Sequence, residues 1–344
     1  MPTSREFAFD ILLQVHKGAF ADDLLRAMRG ESQQDVNLAN ELVYGVLRYQ
    51  MQLDFLIAHY AGNTKRLDVE VRIALQLGVY QIRHLDRIPV HAAVATSVDL
   101  VKRARKRSAA GFVNAVLRKA SKEAVMFPSR AVELSVPEWL IARWEAHHGC
   151  AESIARQALR KPEGYTRNGR FMDIGAQAIV PLLGIEAHHR VLDVCAAPGN
   201  KTLHIAEYSR HVVACDRTNA RIRQVPVDRR VQLDAAAALP FGAVFDRILV
   251  DAPCSGTGTL ARNPEIKWRV TMEEIQRHAA RQVQILTHAL AALKPGGRLV
   301  YSTCSLEQEE NEDVVAHFAH RLQTATYRLP GRDEGDGFYH AVLA

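Results

Sequence analysis

The fold follows from one stretch, Phe245-Asp246-Arg247-Ile248-Leu249-Val250-Asp251-Ala252-Pro253-Cys254-Ser255-Gly256. A short apolar run that ends in an acid, a proline and a glycine predicts a buried strand followed by a tight loop. Residues 191–195 and 299–304 repeat this pattern, and each also ends in a cysteine. Ligands of open α/β sheets bind where strands end, so carboxylates and thiols there are placed for chemistry. A single cysteine is more often a small core residue, but three of the chain's five at strand ends favour a functional role.

From Asp173 onward, short apolar runs alternate with segments whose apolar residues recur at helical spacing. This alternation predicts an α/β fold, a parallel sheet with crossover helices. Helices are expected over residues 201–208, 273–293 and 307–322, and residues 294–297 (Lys-Pro-Gly-Gly) predict a turn. The predicted strands are residues 190–194, 211–215, 230–233, 245–250, 297–302 and 338–343.

The composition is that of a globular protein long enough for two domains. The 344 residues are 48% hydrophobic and 24% charged, with no run of about 18 apolar residues that would span a membrane. Residues 1–6 lack the apolar core of a signal peptide. Five cysteines, an odd number without a Cys-x-x-Cys pair, argue against a disulfide framework and a zinc site. We expect a reduced, cytoplasmic protein with no metal and no membrane partner.

The excess positive charge is confined to the first part of the chain. Residues 1–130 hold 19 Lys+Arg and 13 Asp+Glu, so they carry the whole net charge of +6. This excess indicates either a module with a polyanionic partner or a basic face without a ligand, and charge alone favours neither. The densest cluster consists of Lys102, Arg103, Arg105, Lys106 and Arg107. It could be an exposed loop, but in a basic module we favour RNA contact.

Residues 5–120 predict an all-helical bundle. Apolar residues recur there at helical spacing, for example at Phe7, Ile11 and Val15. Residues 41–48, 85–94 and 112–118 resemble the NusB-like helical fold, which implies an RNA-binding role for the first third of the chain. Turns are predicted at Gly18, Gly30, Gly62-Asn63 and Pro89.

A cofactor loop is predicted after the first strand of the sheet. Residues 195–202 (Cys-Ala-Ala-Pro-Gly-Asn-Lys-Thr) open a helix but lack the Gly-x-Gly-x-x-Gly pattern of dinucleotide folds. Small residues let the backbone approach a ligand, and helix N-terminal amides can face a carboxylate. Asp216 lies 17 residues after Gly199, where an acid binds ribose hydroxyls, and Asp234 after the third strand suits an adenine amino group. Each acid alone could be a turn residue, but successive strand ends favour a nucleoside site.

Four motifs resemble the RNA cytosine-C5 methyltransferase family. They are residues 191–199, 251–256, 264–268 (Pro-Glu-Ile-Lys-Trp) and 302–305 (Ser-Thr-Cys-Ser), and the terminal residues 335–339 also fit. With the NusB-like first third, they are similar to the Sun/RsmB branch, which modifies small-subunit ribosomal RNA. The resemblance covers nearly the whole chain. It implies an all-α NusB-like domain over residues 1–128 and a class I, Rossmann-like methyltransferase domain with a seven-stranded sheet over residues 173–344. It also implies S-adenosyl-L-methionine as cofactor and 16S ribosomal RNA as substrate.

The resemblance implies a role for each strand-end residue. Cys304 is the expected nucleophile, Cys254 assists product release, and Asp251 and Lys201 position the base. Cytosine C5 is a poor nucleophile, and thiolate addition at C6 makes it enamine-like; the C5 proton must then be removed before the thiol leaves. Arg262 and Lys267 are either RNA-phosphate ligands or surface charge. The expected cofactor-binding residues are Cys195, Ala196, Ala197, Pro198, Gly199, Asn200, Lys201, Asp216, Asp234 and Asp251.

The residues after Cys304 add a local reason for its reactivity. Residues 305–308 (Ser-Leu-Glu-Gln) match a capping box, so Cys304 is expected just before a helix N-terminus, a position that favours thiolates. The acids that follow would either oppose a thiolate or form a solvated cluster suited to the helix dipole, and we favour the solvated cluster. These acids are Glu307, Glu309, Glu310, Glu312 and Asp313.

Two departures from the family pattern affect the cofactor loop and the region before the sheet. Asn200 stands where the family has a glycine, and asparagine tolerates left-handed backbone angles. Only residues 169–172 separate residues 165–168 from residues 173–177, where family members carry a small RNA-binding subdomain. Residues 129–172 are therefore expected to be a linker with a shortened subdomain.

Three other functions are weighed against this one, of which a nicotinamide oxidoreductase is the most distant because its glycine fingerprint is missing. The main alternative is a catalytically weak or inactive RNA-binding or ribosome-assembly factor. A DNA cytosine methyltransferase would use the Pro-Cys thiol as its nucleophile, and the Thr-Cys-Ser motif with the NusB-like half argues against it. The expected oligomeric state is a monomer.

Overall fold

The chain forms two compact units. The computed structural model describes residues 3–27, 32–62 and 67–344, so the turns predicted at Gly30 and Asn63 lie outside the described residues. The first unit contains the chain up to Arg160 together with an inserted segment, Ala261–Trp268. The second unit contains Lys161–Leu260 and Arg269–Ala344. None of the described helices combines the length and the hydropathy that crossing a bilayer requires.

The first unit is all-helical, as the sequence predicts for residues 5–120, and it also includes three helices of the region expected to be a linker. Its first helix begins with a capping box, in which Thr3 Oγ1 accepts from the Glu6 N–H and Glu6 Oε2 accepts from the Thr3 N–H. The helices are α1 (Ser4–His16), α2 (Ala21–Arg26), α3 (Gln33–Arg48), α4 (Gln50–Ala61), α5 (Val69–His84), α6 (Val90–Arg103), α7 (Ala110–Ala120), α8 (Arg130–Leu134), α9 (Glu138–His148) and α10 (Ala151–Leu159). A 3-10 turn over Arg107–Ala109 links α6 to α7.

The inserted segment is built into the C-terminal end of α3. Arg48 donates from Nε and Nη2 to the Ala261 carbonyl, at 3.1 and 2.8 Å. Trp268 Nε1 donates to the Leu47 carbonyl at 2.9 Å, and Lys267 Nζ donates to the Arg48 carbonyl at 2.8 Å. The last carbonyls of a helix lack intrahelical partners, so these two donors from the segment complete α3.

The second unit is a mixed α/β structure. Its strands are β1 (Thr166–Arg167), β2 (Arg170–Phe171), β3 (Val191–Asp193), β4 (Val212–Asp216), β5 (Arg230–Gln232), β6 (Phe245–Asp251), β7 (Leu293–Thr303), β8 (Leu322–Arg328) and β9 (Phe338–Leu343). The helices of the chain from Lys161 onward are α11 (Ile174–Gln177), α12 (Asn200–Ala206), α13 (Asn219–Ile222), α14 (Ile266–Arg269), α15 (Met272–Ala291) and α16 (Glu312–Ala316).

Seven of these strands form one sheet in the order β5-β4-β3-β6-β7-β9-β8. Strands β3 to β7 are parallel, and β9 runs antiparallel to both β7 and β8. From β3 the chain winds outward to β4 and β5 on one side and to β6 and β7 on the other. The carboxyl ends at such a switch point form the ligand crevice of open α/β sheets.

Both faces of the sheet are buried. Ile248 and Leu299 belong to one apolar cluster, and their neighbours Leu249 and Val300 belong to another on the opposite face. Successive side chains of a strand point to opposite faces, so continuous apolar runs of this kind fill two cores. The continuous run that follows Arg247 is therefore a central strand, as predicted.

Two predicted elements are wrong. The helix predicted over residues 307–322 is a 3-10 turn, the short helix α16, a second 3-10 turn and then β8. Most side chains of β8 are exposed, so the strand lacks the apolar alternation by which a strand is recognised. The turn predicted at residues 294–297 is a bulge inside β7, where the pairing with β6 jumps from Leu293 to Arg298 and Gly296 has φ +71°.

A hairpin stands in the shortened region before the sheet. Strands β1 and β2 pair through Arg167 and Arg170, and the two residues between them, Asn168 and Gly169, have φ of +49° and +73°. Two positive φ values are typical of the tight turns that Asn-Gly favours in hairpins. The hairpin was not predicted, because each of its strands has only two residues, too few for a period-two pattern.

Candidate active site at the carboxyl ends of the sheet

The two cysteines singled out by the sequence lie side by side. Their Sγ atoms, on Cys254 and Cys304, are 3.4 Å apart and within hydrogen-bonding distance. The contact follows from the register of β6 and β7, in which Asp251 pairs with Ser302, so the loops after both strands leave the sheet together. Both thiols are free and partly exposed.

Asp251 and Lys201 form an ion pair at the same edge. Lys201 Nζ lies 2.6 Å from Asp251 Oδ2, and Ser302 Oγ donates to Asp251 Oδ1 at 2.8 Å. Burial opposes the charge on Lys201, but Asp251 outweighs it and raises the pKa of the lysine above its usual value. The lysine is therefore a cation near neutral pH, held within electrostatic range of Cys304.

Backbone contacts fix the two cysteine loops against each other. The Ala252 N–H donates to the Ser302 carbonyl and the Gly258 N–H to the Cys304 carbonyl, both at 2.8 Å. A Cβ on Gly258 would lie 2.3 Å from the Gly337 carbonyl oxygen, so only glycine allows this approach. The loop from Cys254 is therefore held at the backbone of the loop that carries Cys304.

The acids after Cys304 do not form a solvated cluster. Glu307 and Glu310 are buried, with relative exposures of 1% and 0%. Glu310 accepts from the Ser255 N–H at 2.8 Å, from Ser305 Oγ at 2.5 Å and also from Ser255 Oγ. The solvated-cluster prediction is therefore wrong for these two residues.

The predicted capping box after Cys304 does not form either. Only a 3-10 turn begins at Gln308, and its N-cap residue Glu307 makes no side-chain cap. Ser305 Oγ instead accepts from the Glu307 N–H and donates to Glu310. The prediction that Cys304 precedes a helix N-terminus is wrong, because the Ser305 hydroxyl turns toward a buried carboxylate.

The surroundings of Cys254 keep its thiol protonated. The hydrogen bond to Cys304 raises the pKa of Cys254 well above its usual value, and burial and the carboxylate of Glu310 act in the same direction. A negative charge on Cys304 therefore opposes ionisation of Cys254, so the pair carries at most one thiolate.

Three carboxylates converge on the loop after β3. Burial raises the pKa of the Cys195 thiol well above its usual value, and Asp193, Asp251 and Asp216 raise it further. Asp193 Oδ2 accepts from Thr202 Oγ1 at 2.6 Å, whereas the buried Oδ1 has no hydrogen-bond partner among the residues that the structure describes. Burial raises the pKa of Asp193 to about 7. An orphaned carboxylate oxygen beside two further acids fits a cationic ligand with hydroxyl and amino groups, which describes S-adenosyl-L-methionine.

The remaining residues expected at the cofactor loop are arranged as follows. Ala196 and Ala197 are buried, Pro198 is exposed, and Gly199 is left-handed with φ +103°. Asn200 is the first residue of α12, and its Nδ2 donates to the Phe171 carbonyl at 2.9 Å. The left-handed angle thus falls on Gly199, so the expected tolerance of asparagine for such angles is not needed.

The two acids after β4 and β5 differ in their surroundings. Asp216 is buried, and its Oδ1 accepts from the Thr218 N–H at 3.0 Å. Asp234 is exposed and accepts from Arg281 Nη2 at 2.5 Å and from the Ala236 N–H at 3.0 Å. Asp216 therefore resembles a ligand-binding acid more closely than Asp234 does.

The residues predicted to contact RNA fall into three groups. Lys267 is 1% exposed and donates into α3, and burial lowers its pKa to about 7, so its predicted phosphate contact is wrong. Arg262 is half-buried. In the basic run, Lys102, Arg103 and Lys106 pair with Asp99, Asp10 and Asp68, at 3.2, 2.7 and 2.9 Å, while Arg105 and Arg107 are exposed.

A cavity of about 270 Å³ lies between the hairpin and α12. Arg167, Arg170, Asn200 and Glu207 line it together with Met172. Arg167 is paired at 2.5 Å with Glu207, the residue after α12, so an ion pair holds the hairpin at the C-terminal end of that helix. The cavity opens beside the helix that carries Lys201.

Sequence reasoning missed two groups that shape the site. Ser302 lies in the Ser-Thr-Cys-Ser motif but received no role, although it holds Asp251. Glu310 was expected to be solvated with the other acids of residues 307–313, because five acids among seven residues indicate a solvated surface. A signal for Glu310 exists only in the contacts of the folded chain.

Comparisons with known proteins agree with this geometry. The sequence profile of the family described as 16S rRNA methyltransferase RsmB/F matches residues 180–344, and that of the NusB family matches residues 2–122. The Ribosomal RNA small subunit methyltransferase B of Klebsiella pneumoniae subsp. pneumoniae is 31% identical over 410 residues, covering 96% of this chain and 95% of that protein. Its namesake from Enterobacter sp. (strain 638) is 30% identical with the same coverage. The crystal structure of PH0851 has a similar fold, with a TM-score of 0.79 at 20% identity over 100% of this chain and 99% of that one.

The sheet order and the acids at its carboxyl ends define a class I methyltransferase fold, preceded by a NusB-type helical domain. The chain belongs to the RsmB/F family of 16S rRNA methyltransferases, and it is an S-adenosyl-L-methionine-dependent methyltransferase. The family resemblance and the fold class expected from the sequence are thus confirmed.

Proposed function

We propose that this enzyme methylates cytosine C5 in small-subunit (16S) ribosomal RNA through a covalent bond between Cys304 and C6 of the base. The observation that carries the proposal is the 3.4 Å contact between the Cys304 and Cys254 thiols at the ends of β7 and β6. A two-thiol site suits a reaction with a covalent addition and a later elimination, because one group attacks and a second serves release.

The first half of the reaction belongs to Cys304 and to the residues that hold the base. The Cys304 thiolate adds to C6, and the π-electron pair of the C5–C6 double bond moves to C5, where it forms the bond to the transferred methyl group. The cofactor, when bound, supplies a methyl group from a sulfonium. Asp251 accepts a hydrogen bond from the cytosine amino group, and Lys201, a cation beside it, favours the electron-rich ring.

The second half belongs to Cys254. Once Cys304 is bonded to carbon, it can no longer be a thiolate, and its contact with Cys254 changes. The largest cause of the raised pKa of Cys254 is then removed, so this thiol ionises more readily. It assists removal of the C5 proton. The electron pair of the broken C5–H bond then re-forms the C5–C6 double bond, and the bond between C6 and Cys304 breaks to release the thiolate.

The helical unit supports an RNA substrate. Residues 1–130 carry the whole net charge of +6, which suits a phosphate backbone. A cytosine must leave its stack before a thiol reaches C6, so the target lies in a loop or another unpaired region. We assign residues 1–128 to RNA binding, residues 129–172 to a linker with a shortened RNA-binding subdomain and residues 173–344 to catalysis.

The linker assignment agrees with the length of the relatives. Since 96% of the 344 residues is about 330, about 80 of the 410 aligned positions hold no residue of this chain. We attribute part of this difference to the shortened RNA-binding subdomain, which would leave fewer residues for substrate recognition. We further propose that the enzyme acts as a monomer, without a metal ion, in the cytoplasm.

Bisulfite sequencing of ribosomal RNA tests the function. A strain that lacks this gene should lose methylation at a cytosine of 16S ribosomal RNA, and the wild-type gene should restore it while the Cys304→Ala gene should not. If all 16S positions remain methylated in the deletion strain, the proposed substrate is wrong. If the RNA binds the protein but isothermal titration detects no cofactor binding, the ribosome-assembly alternative is favoured.

A further inference from the structure

Glu310 is a buried carboxylate that joins the two cysteine loops. From the loop after β6 it accepts hydrogen bonds from the N–H and the hydroxyl of Ser255, the residue after Cys254. From the loop after β7 it accepts a hydrogen bond from the hydroxyl of Ser305, the residue after Cys304. One carboxylate therefore holds the immediate neighbours of both thiols.

Other elements hold this carboxylate in place. Gln282 on α15 donates from Nε2 to Glu310 Oε1 at 3.2 Å and to the Pro253 carbonyl at 2.9 Å. The backbone carbonyl of Glu310 accepts from the Tyr301 hydroxyl at 2.6 Å. Glu310 is thus anchored to the sheet and to α15, and its side chain is not free to follow either loop.

The energetics favour a positional role. A buried charge is costly, and burial raises the pKa of Glu310, while its bonds to Ser255 and Ser305 lower it. Hydrogen bonds to a carboxylate are shorter and stronger than those between neutral groups. The carboxylate therefore holds the two cysteine loops together more strongly than an apolar residue could, because it accepts hydrogen bonds from both loops.

We propose that Glu310 is a positioning residue that fixes the Cys254 loop against the Cys304 loop and so sets the separation of the releasing and attacking thiols. This inference rests on the proposed function, because it assigns attack to one thiol and release to the other. Glu310 need not touch the RNA. It acts through Ser255 on the release side and through Ser305 on the attack side.

The two serines separate these effects. Ser255→Ala removes one hydroxyl and leaves the backbone bond of Ser255 to Glu310. The Ser255 hydroxyl also lies 3.1 Å from the Ser305 hydroxyl, so the variant should loosen the release side more than the attack side. We expect it to accumulate the covalent RNA–protein adduct and to lower turnover roughly 10-fold. Ser305→Ala should slow adduct formation instead. Glu310→Gln, whose amide replaces one accepting oxygen by a donor, should lower turnover on the order of 100-fold, the scale of a misplaced reacting group.

The experiment measures single-turnover methylation, adduct yield on denaturing gels and cofactor affinity for each variant. Cys254→Ala and Cys304→Ala serve as references, and Asp313→Asn removes the same charge three residues away from an exposed side chain. We expect the cofactor affinity and the melting temperature of Ser255→Ala to match those of the wild type. A variant that only damaged the structure would lower both.

The outcomes distinguish the inference from the proposed function. If Cys254→Ala accumulates adduct but Ser255→Ala and Glu310→Gln behave as the wild type does, the positioning role is wrong and the proposed function stands. If Cys254→Ala forms no adduct, the proposed function itself fails. If Glu310→Gln does not fold, the comparison of Ser255→Ala with Ser305→Ala decides, and equal adduct yields in the two would overturn the inference.

Discussion

At the scale of single residues, the site depends on where a carboxylate is placed along a strand. Strand β6 carries an aspartate near each end, and each binds a lysine: Asp251 with Lys201 at 2.6 Å, and Asp246 with Lys294 at 2.7 Å. The two pairs are alike in geometry, but only the first lies at the carboxyl end of the sheet beside the thiols. Asp251 therefore owes its role to its position at the carboxyl end of the sheet, because Asp246 forms a similar ion pair at the other end of the strand.

This difference yields a matched pair of variants. Asp251→Asn should lower the rate of methyl transfer on the order of 100-fold, because the amide cannot hold both Lys201 and Ser302 in their present orientation. Asp246→Asn should leave the rate within about two-fold of the wild type, since surface ion pairs contribute about 1 kcal/mol or less. Single-turnover kinetics with saturating cofactor measure both rates. Equal rates for the two variants would contradict the assignment.

Residue-level prediction from sequence succeeded for groups whose neighbours in the chain define them. Cys254, Cys304 and Asp251 follow apolar runs, and their closeness follows from parallel pairing of those runs. Prediction failed for Lys267 and Glu310, because a charged side chain is expected at the surface and both of these are buried. Their actual partners, the end of α3 and the Ser255 loop, are separated from them by 219 and 55 residues.

At the scale of elements, six strands of the large sheet were predictable, and the edge strand β8 was not. The six predicted strands all form. Most of them carry an apolar run between turn signals, whereas β5, Arg-Val-Gln, has one partly buried valine between two exposed residues. Strand β8 at the sheet edge was missed, since its exposed side chains leave no period-two pattern. The helix predicted over residues 307–322 is wrong for a related reason. The sequence gives no signal that the chain enters β8 at Leu322, so the helical pattern was extended to that residue.

The loop after β6 provides a test at this scale. Gly258→Ala should destabilise the fold by about 1–3 kcal/mol and abolish most activity, because its Cβ would meet the Gly337 and Cys304 carbonyl oxygens at 2.3 and 2.8 Å. Gly242→Ala is the control, since a Cβ there meets nothing within 4 Å, and its effect should stay within about 1 kcal/mol. Chemical denaturation measures both changes. A Gly258→Ala protein as stable and active as the Gly242→Ala protein would refute the close approach.

At the scale of the whole molecule, chemistry and charge are divided between the two units. The thiols, the carboxylates and Lys201 belong to the second unit, whereas the excess positive charge lies in residues 1–130. Composition predicted this division, since charge counts do not depend on the fold. It could not predict that the inserted segment 261–268 belongs with the helical unit, because that membership depends on contacts with α3.

The basic run gives a prediction for RNA affinity. Arg105 and Arg107 are exposed, whereas the other three basic side chains of the run are paired with acids. Replacing both arginines by alanine should weaken RNA binding and lower the slope of log affinity against log salt by about 1.5, because each phosphate contact releases nearly one counterion.

The control for this experiment replaces two exposed cations elsewhere in the same unit, Arg87 and Arg118. It removes the same charge from a different part of the surface. Affinities measured at several salt concentrations should show the larger change for the Arg105 and Arg107 pair. Equal losses for both pairs would mean that diffuse charge, and not the run itself, attracts the RNA.

The covalent adduct tests the central claim most directly. Purified protein is incubated with the cofactor and a 16S ribosomal RNA fragment that contains the target cytosine, and the products are separated under denaturing conditions. Cys254→Ala should retain an RNA–protein adduct, and Cys304→Ala and the double variant should retain none. Cys150→Ala, a cysteine of the first unit, should turn over as the wild type does. An adduct in Cys304→Ala, or methylation by it at the wild-type rate, would contradict the assignment of attack to Cys304 and release to Cys254.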